Sequence, residues 1–391
     1  MTEIKKLYDK YVLPTYTRQD LCLVKGDGVW VEDAGGKKYL DFFPGWAVSG
    51  IGHRHPKVVR RLSGQLERIL HVSNNYYNDV QPVLAKKIID HSFSGRVFFS
   101  NSGAEANEGA IKLARRYGNP DRYEIIAMEN SFHGRTLATL TATGQKKVKE
   151  GFSPLPEGFK HVPFNDIGAF SAAVTDKTVA VIIEPVQGEG GINVADEKYM
   201  REMRDICREK DMLFIVDEVQ TCMGRTGEMF AYKHFGIEPD IMTLAKSLGG
   251  GLPIGALVVG EKYIDVLAPG SHASTFGGSP IVCAAALGVF EAIEEEKLLE
   301  NTVRMGEYIT GCLNELKKRN KTIEKVKGMG LMIGVKLNVE DASGVANECM
   351  EQGLLINCTQ KNILRIMPPI TVTKKDIDTA IEKLSKALGK I

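Results

Sequence analysis

Lys246 is the first residue of this sequence whose type and position could support chemistry. It follows the apolar run Ile241–Ala245 and precedes a glycine-rich turn, Gly249–Gly251. Desolvation at such a place would lower the pKa of the lysine and free its amine to act as a nucleophile. A solvated lysine at a strand end is the alternative interpretation. The glycines do not indicate a nucleotide site, because the chain has neither G-x-x-x-x-G-K-[ST] nor a G-x-G-x-x-G after a strand.

Asp217 is expected to join Lys246, because it follows another apolar run, Leu213–Val216. Ligands of parallel sheets bind beyond the carboxyl ends of the strands, where both residues would lie. A buried carboxylate needs a cationic or donor partner. A pyridinium nitrogen is such a partner, and the pairing would keep the ring protonated as an electron sink. A turn-capping aspartate and a Walker-B aspartate are the alternatives, although no Walker A sequence accompanies it.

The segment Ser100–Glu105 could bind an anion. It lies between a predicted strand, Val97–Phe99, and a predicted helix, Ala104–Tyr117. Its small residues would let backbone N–H groups approach a phosphate at a helix N-terminus, where the helix dipole also favours negative charge. An ordinary N-cap is the alternative. The three segments together predict a phosphate at a helix start, an acid at a ring nitrogen and an amine at an aldehyde.

The elements that must position these residues indicate an α/β fold. Apolar runs alternate with helical patterns and are typical of a mostly parallel sheet covered by helices on both faces; the runs are Tyr123–Met128, Val179–Ile183, Leu213–Val216 and Ile241–Ala245. We expect a large domain built on this sheet over residues 46–280. A smaller C-terminal α/β domain is expected over residues 281–391, with residues 1–45 joining it.

The composition narrows the possible partners. Lysine and arginine (50) nearly balance aspartate and glutamate (49), which disfavours nucleic acid as a partner. The sequence shows neither a signal-peptide pattern nor 18 consecutive apolar residues, so we expect a cytoplasmic protein without a membrane partner. Seven scattered cysteines predict reduced thiols. No metal site is expected, because His53 and His55 lack further ligands nearby.

Six segments in order resemble the class III aminotransferases, which are fold-type-I pyridoxal-phosphate enzymes: NSGAEANEGAIKLARRYG, SFHGRT, IIEPVQGEGG, DEVQTCMGRTG, LAKSLGGGLPIGA and STFGG. The similarity runs from about Asp20 to the end of the chain. It implies a large domain and a small domain, pyridoxal 5'-phosphate held on Lys246, and a homodimer with shared active sites. Four further segments are most similar to the acetylornithine branch of the family: DLCLVKGDGVWVEDAGGKKYLDF, HVSNNYY, PLPEGF and PFND.

The resemblance also implies a role for each site residue. The expected cofactor contacts are Ser102, Gly103 and Ala104 at the phosphate, Phe132 and Val219 on the two ring faces, Gln220 at the ring hydroxyl, Asp217 at the ring nitrogen, and Thr275 at the phosphate of the neighbouring subunit. The expected substrate contacts are Arg365 for the α-carboxylate, Arg135 for a second carboxylate, Glu189 as the residue that pairs with Arg365 when an ω-amino donor is bound, and Ser274 nearby. Two guanidinium forks suit the two carboxylates of glutamate.

The resemblance therefore predicts transfer of the terminal amino group of N2-acetylornithine to 2-oxoglutarate in two half-reactions, with Lys246 as the catalytic residue. Ornithine, succinylornithine and 4-aminobutyrate are alternative donors. An aminomutase or decarboxylase on the same scaffold is a competing hypothesis, and so is a scaffold protein without catalytic activity. Trp46 departs from the family, because relatives carry a small, aliphatic or tyrosine residue there, and the donor prediction depends on its effect.

Overall fold

The computed structural model describes residues 2–390. Its α-helices are α1 (Thr2–Tyr11), α2 (Pro56–Leu66), α3 (Gln81–His91), α4 (Gly103–Gly118), α5 (Leu137–Ala142), α6 (Ile167–Ala173), α7 (Glu197–Glu209), α8 (Pro280–Glu295), α9 (Leu298–Arg319), α10 (Ser343–Glu351) and α11 (Lys374–Leu388). Its strands are β1 (Leu23–Asp27), β2 (Trp30–Asp33), β3 (Lys38–Asp41), β4 (Gly95–Ser100), β5 (Glu124–Met128), β6 (Phe159–Val162), β7 (Thr178–Ile183), β8 (Val186–Gln187), β9 (Asn193–Val194), β10 (Leu213–Asp217), β11 (Ile241–Leu244), β12 (Gly255–Gly260), β13 (Ile323–Met329), β14 (Met332–Leu337), β15 (Leu354–Leu355), β16 (Asn357–Thr359) and β17 (Ile363–Ile366). In this part of the chain, no helix combines the length and the apolar character that a membrane crossing needs.

A seven-stranded sheet forms the centre of the molecule, in the order β4–β12–β11–β10–β7–β5–β6. Strand β12 runs antiparallel to β4 and β11, and the other neighbouring strands are parallel. Along β10, Phe214 and Val216 face one apolar core while Leu213 and Ile215 face a second. Helix α4 packs on the second core, and α7 and α8 contribute to the first. The predicted α/β fold with a mostly parallel sheet is confirmed.

Three smaller sheets lie outside the central one, and the smallest is the antiparallel β8–β9 pair. Strands β13–β14–β17–β16 form an antiparallel sheet, whereas β1–β2–β3 are extended by β15, which runs parallel to β3. The N-terminal strands thus pair with a segment from the C-terminal part of the chain. Helix α8 packs against α2 and α3, beside the central sheet. The division at residues 45 and 280 stays a prediction.

The parallel strands place their carboxyl ends at one edge of the central sheet. Strands β4, β5, β7, β10 and β11 end there at Ser100, Met128, Ile183, Asp217 and Leu244. The loops that follow carry most of the residues with predicted chemical roles. This edge is therefore where the structure assembles the candidate site, as the general rule for parallel sheets requires.

Candidate active site

A cavity of about 490 Å³ lies at this edge of the sheet. Ten of the residues predicted to contact cofactor or substrate line it: Ser102, Gly103, Ala104, Phe132, Arg135, Glu189, Asp217, Val219, Gln220 and Lys246. Its volume suits a small-molecule ligand. Arg365 contacts the lining residue Glu189, whereas Ser274 and Thr275 are not part of the lining.

Lys246 begins a short 3₁₀ turn, Lys246–Gly249, which is separated from β11 by Ala245 alone. Its backbone φ is 47°, an uncommon left-handed value for a residue with a side chain, and such strain is concentrated at functional sites. The next residue fixes the turn, because the Ser247 hydroxyl donates to the carbonyl of Ala47 at 2.5 Å. Burial lowers the pKa of the Lys246 ammonium below its ordinary value, against the opposing attraction of Glu189 and Asp217. A lowered pKa increases the fraction of neutral, nucleophilic amine.

Asp217 is buried at the end of β10 and is held by a polar network. Its Oδ2 accepts a hydrogen bond from Asn107 Nδ2 at 2.7 Å and lies 2.8 Å from His133 Nδ1. The Thr243 hydroxyl in turn donates to Asn107 Oδ1 at 2.7 Å, and the N–H of Val219 donates to Asp217 Oδ1 at 3.0 Å. The carboxylate therefore has a fixed orientation towards the cavity.

Asn107 and His133 were not predicted from the sequence. Both are almost completely buried, and they lie within the segments NSGAEAN and SFHGRT. Neither residue type at that spacing indicates contact with an aspartate some 80 or 110 residues away. The general rule that a buried amide or imidazole requires a polar partner is the one indication that these two residues bind another polar side chain.

The start of α4 has the backbone geometry on which the anion prediction depends. Ser102 is the N-cap, and its hydroxyl accepts a hydrogen bond from the N–H of Glu105 at 3.2 Å. The first N–H groups of an α-helix have no partner inside the helix, so those of Gly103 and Ala104 are suited to an anion. Gly103 has no room for a side chain, since a Cβ would lie 2.7 Å from a methyl group of Val219.

Gln220 faces the cavity from the loop after β10, and its side-chain oxygen has no partner among residues 2–390 although it is buried. Its position depends on a glycine. A Cβ at Gly188 would lie 1.6 Å from Gln220 Oε1, so any other residue there would displace the amide. An unpartnered buried acceptor is uncommon in folded proteins and is suited to a donor on a ligand.

Arg365 is buried on β17 and makes contacts on several sides of its guanidinium. Nε and Nη2 donate to Asn357 Oδ1 at 2.9 and 2.7 Å, and Nη1 donates to the carbonyl of Gly188 at 3.2 Å. Glu189 Oε1 accepts from Nη1 at 2.5 Å, and the Phe43 ring lies 4.8 Å from the guanidinium carbon. Burial alone would raise the pKa of Glu189, but the charge and hydrogen bond of Arg365 hold that pKa below its ordinary value.

Phe132 and Arg135 lie in the loop after β5, and both line the cavity. The Phe132 N–H donates to Glu184 Oε2 at 3.0 Å, and the Arg135 guanidinium lies 5.6 Å from the Phe132 ring. Burial raises the pKa of Glu184 to about 7. Glu184 thus positions the backbone of Phe132.

Ser274 and Thr275 lie beside the site without lining it. Ser274 Oγ accepts hydrogen bonds from Asn101 Nδ2 at 3.2 Å and from the N–H of Gly277 at 3.1 Å, while Thr275 is exposed. The role predicted for Thr275 requires a second subunit, so it stays a prediction, and the substrate contact of Ser274 does so too.

The two histidines of GIGHRHP have structural contacts. His53 Nε2 lies 2.8 Å from Asp41 Oδ2, and His55 accepts a hydrogen bond from the N–H of Lys57 at the start of α2. Within residues 2–390, no cluster of three or more His, Cys, Asp or Glu side chains could hold a metal ion.

Comparison with known proteins identifies the family. The chain is 50% identical to the acetylornithine aminotransferase of Caldanaerobacter subterraneus subsp. tengcongensis over 386 residues, which covers 98% of each chain. It is also 50% identical to that of Methanothermobacter thermautotrophicus, over 99% of this chain and 98% of the relative. A Toxoplasma gondii ornithine aminotransferase structure with partial occupancy of PLP at its active site superposes with a TM-score of 0.95, at 32% identity, over 99% of this chain and 94% of the other. The family model described as "Aminotransferase class-III" matches residues 12–388 of this chain, and the chain therefore belongs to this family.

Proposed function

We propose that this aminotransferase transfers the terminal amino group of N2-acetyl-L-ornithine to 2-oxoglutarate, giving N-acetyl-L-glutamate 5-semialdehyde and L-glutamate, with pyridoxal 5'-phosphate as its cofactor. The observation that carries the proposal is the position of Lys246 in one cavity with Asp217, beside a buried Arg365 that Glu189 neutralises. The names of the relatives that share half of its residues support the choice of donor.

Three features of the cavity fit pyridoxal phosphate. The start of α4 suits the phosphate, the buried oxygen of Gln220 suits the ring hydroxyl, and the fixed carboxylate of Asp217 suits a protonated ring nitrogen. Phe132 and Val219 would contact the two faces of the ring. When bound, the cofactor supplies a ring that withdraws electrons from the carbon bearing the amino group.

Lys246 would be the catalytic residue. Burial lowers the pKa of its ammonium, which favours the neutral amine that can accept a proton from the substrate carbon and later return it. The strained turn and the Ser247 hydrogen bond restrict where that amine can reach. Proton transfer thus depends on a single side chain at one place in the cavity.

The ion pair between Arg365 and Glu189 would determine which of the two substrates the site can bind. With the ion pair closed, Arg365 is neutralised and the site accepts a donor through its terminal amine. When Glu189 moves away, the guanidinium is free to bind the α-carboxylate of 2-oxoglutarate, and Arg135, which lines the same cavity, would bind the second carboxylate. One pocket could then serve two substrates of different shape.

Trp46 is the residue through which this chain would differ from its relatives in donor choice. Trp46 is 47% exposed, and its ring lies 5.9 Å from that of Phe43 at 70°, so Phe43 contacts both the indole and the Arg365 guanidinium. An aromatic surface at this place would pack against the acyl group of an acylated donor. The acetylated donor therefore remains the preferred candidate.

The proposal includes a cytoplasmic homodimer in which Thr275 of one chain contributes to the phosphate site of the other. Exposed aromatic side chains near this loop support an interface there: Tyr76, Tyr77 and Phe276. Burial of such side chains is a main source of association free energy.

Substitution of Lys246 by alanine tests the catalytic assignment. We expect Lys246→Ala to lose turnover and the visible absorbance of the covalently held cofactor, because no other described lysine lines the cavity. Lys262→Ala, at an exposed lysine outside the cavity, serves as the matched control. Retention of both signals by Lys246→Ala would reject the mechanism.

A further inference from the structure

Arg225 is a buried arginine whose role the proposed chemistry does not explain. It lies in the loop after β10, eight residues beyond Asp217, and its side chain is only 1% exposed. It is among the largest side chains that the protein buries completely. A fully buried guanidinium has a high desolvation cost, so its presence calls for a specific explanation.

The guanidinium of Arg225 connects its loop to two neighbouring strands of the β13–β14–β17–β16 sheet. Nη1 donates to the carbonyl of Leu331, just before β14, at 3.1 Å and to the carbonyl of Pro368, just after β17. The N–H of Leu331 also donates to the carbonyl of Arg225 at 3.1 Å. The contacts therefore link the loop that begins at Asp217 to the strand that carries Arg365.

A stabilising ion pair does not account for this arginine. Among residues 2–390 no carboxylate pairs with Arg225, and its Nε and Nη2 have no hydrogen-bond partner. Burial lowers its pKa from 12.5 to about 10. Arg204 differs, since both of its terminal nitrogens donate to Asp240, at 2.6 and 2.9 Å. A methionine at position 225 would fill similar space without the desolvation cost, but it would remove the donor to the carbonyls of Leu331 and Pro368, so the contribution of the arginine lies in the two segments that it holds together.

The carbonyl that Arg225 holds is close to the substrate-binding arginine. Pro368 lies three residues after Arg365, and the intervening Met367 donates its N–H to the carbonyl of Phe42 at 2.7 Å. The end of β17 is thus fixed on one side by the segment that carries Phe43 and on the other by Arg225. A change in either contact would shift the Arg365 guanidinium relative to the cavity.

We propose that Arg225 is a positioning residue that sets the distance between the Arg365 guanidinium and the sheet edge bearing Asp217 and Lys246, and thereby tunes the affinity for dicarboxylate substrates. This inference rests on the proposed function, in which Arg365 binds the α-carboxylate. It assigns Arg225 no contact with cofactor or substrate. Its effect passes through the carbonyls of Leu331 and Pro368.

The test compares Arg225→Lys and Arg225→Met with wild type and with Arg204→Lys as the matched buried-arginine control. Glutarate binding to the pyridoxal-phosphate-loaded protein is measured by calorimetry, so that the readout does not depend on turnover. The KM for 2-oxoglutarate, kcat, the cofactor Kd and Tm are measured alongside. Arg225→Lys is included because it keeps the charge and can fold even where the methionine variant does not.

We expect Arg225→Met to weaken glutarate binding and to raise the KM for 2-oxoglutarate by about tenfold or more, with Arg225→Lys intermediate. The cofactor Kd and kcat should stay within about twofold, and Arg204→Lys should lower Tm alone. Wild-type glutarate affinity in both Arg225 variants would overturn the inference, as would an equal loss of cofactor affinity. A wild-type protein that does not bind glutarate would instead refute the carboxylate-binding role of Arg365 in the proposed function, and the inference with it.

Discussion

The Glu189 carboxylate lies directly against the Arg365 guanidinium, with 2.5 Å between Oε1 and Nη1. The two partners are unequally buried: the Arg365 side chain is 2% exposed and that of Glu189 is 25% exposed. Asn357 holds Arg365 in place by accepting hydrogen bonds from two of its nitrogens. Glu189 is therefore the partner that can leave, and its departure would uncover an arginine already oriented for a carboxylate.

Replacement of Glu189 by glutamine should separate the two half-reactions. Without the competing charge, Arg365 would bind the α-carboxylate of acetylornithine and present the wrong end of the donor to Lys246. We expect kcat/KM for the donor to fall by about tenfold or more, which is about 1.4 kcal/mol, while the KM for 2-oxoglutarate does not rise. Single-turnover measurements of each half-reaction would show the difference.

Glu382→Gln is the control for this substitution, because Glu382 forms an exposed helical pair with Lys386 far from any predicted site role. It should leave both half-reactions unchanged, since exposed pairs contribute little. An equal loss in both half-reactions of Glu189→Gln would contradict the switching role.

Substitution of Asn107 by leucine should destabilise the fold. The change removes the donor to Asp217 and leaves the Thr243 hydroxyl without its acceptor, in a region that is almost completely buried. An unsatisfied buried polar group costs about 1–3 kcal/mol, and urea unfolding of the cofactor-free protein would measure the loss. Adding Thr243→Val should recover part of it, because both partners are then apolar. If the unfolding free energies lost by Asn107→Leu and Thr243→Val simply add in the double variant, the hydrogen bond between the two side chains contributes nothing to stability.

The free energy of unfolding of the cofactor-free protein should depend on pH through the ionisation of Glu218. Burial raises the pKa of this carboxyl from 4.5 to about 7, although the Thr221 hydroxyl and the N–H of Tyr232 donate to it. Between pH 4.5 and about pH 7, the Glu218 carboxyl is therefore protonated in the folded state and ionised in the unfolded state. The free energy of unfolding should therefore fall as the pH rises through this window, by about 3 kcal/mol.

Glu218→Gln keeps the size of the side chain and removes its ionisation. The difference in unfolding free energy between this variant and wild type should grow in favour of the variant from about pH 5 to about pH 8. Glu184 has the same pKa tendency in both proteins, so its contribution cancels in the comparison. If this difference in unfolding free energy does not change over the pH range, Glu218 is ionised in the folded protein throughout that range.

The fold was predictable from local patterns. Apolar runs such as Leu213–Val216, each followed by a polar residue, indicate buried parallel strands, and the rule that ligands bind at their carboxyl ends predicts the shared edge of Asp217 and Lys246. The structure brings both residues into one cavity. Chemistry at a strand end is readable from sequence because the strand itself fixes the position.

Contacts between distant segments could not be read in this way. Asn107 and Arg225 each act on a partner brought close by tertiary packing: Asp217 and the carbonyl of Pro368. Nothing in the spacing of an isolated asparagine or arginine identifies such a partner. The roles given to Phe132, Arg135, Ser274 and Thr275 came from the family resemblance and stay predictions.

The most direct test of the account is the initial rate with 2-oxoglutarate and each of four donors: N2-acetylornithine, N2-succinylornithine, ornithine and 4-aminobutyrate. We expect kcat/KM to favour acetylornithine by about tenfold or more over every other donor, which is about 1.4 kcal/mol. A higher kcat/KM for ornithine or 4-aminobutyrate would contradict the assigned donor and would show that the surface formed by Trp46 and Phe43 selects a different substrate.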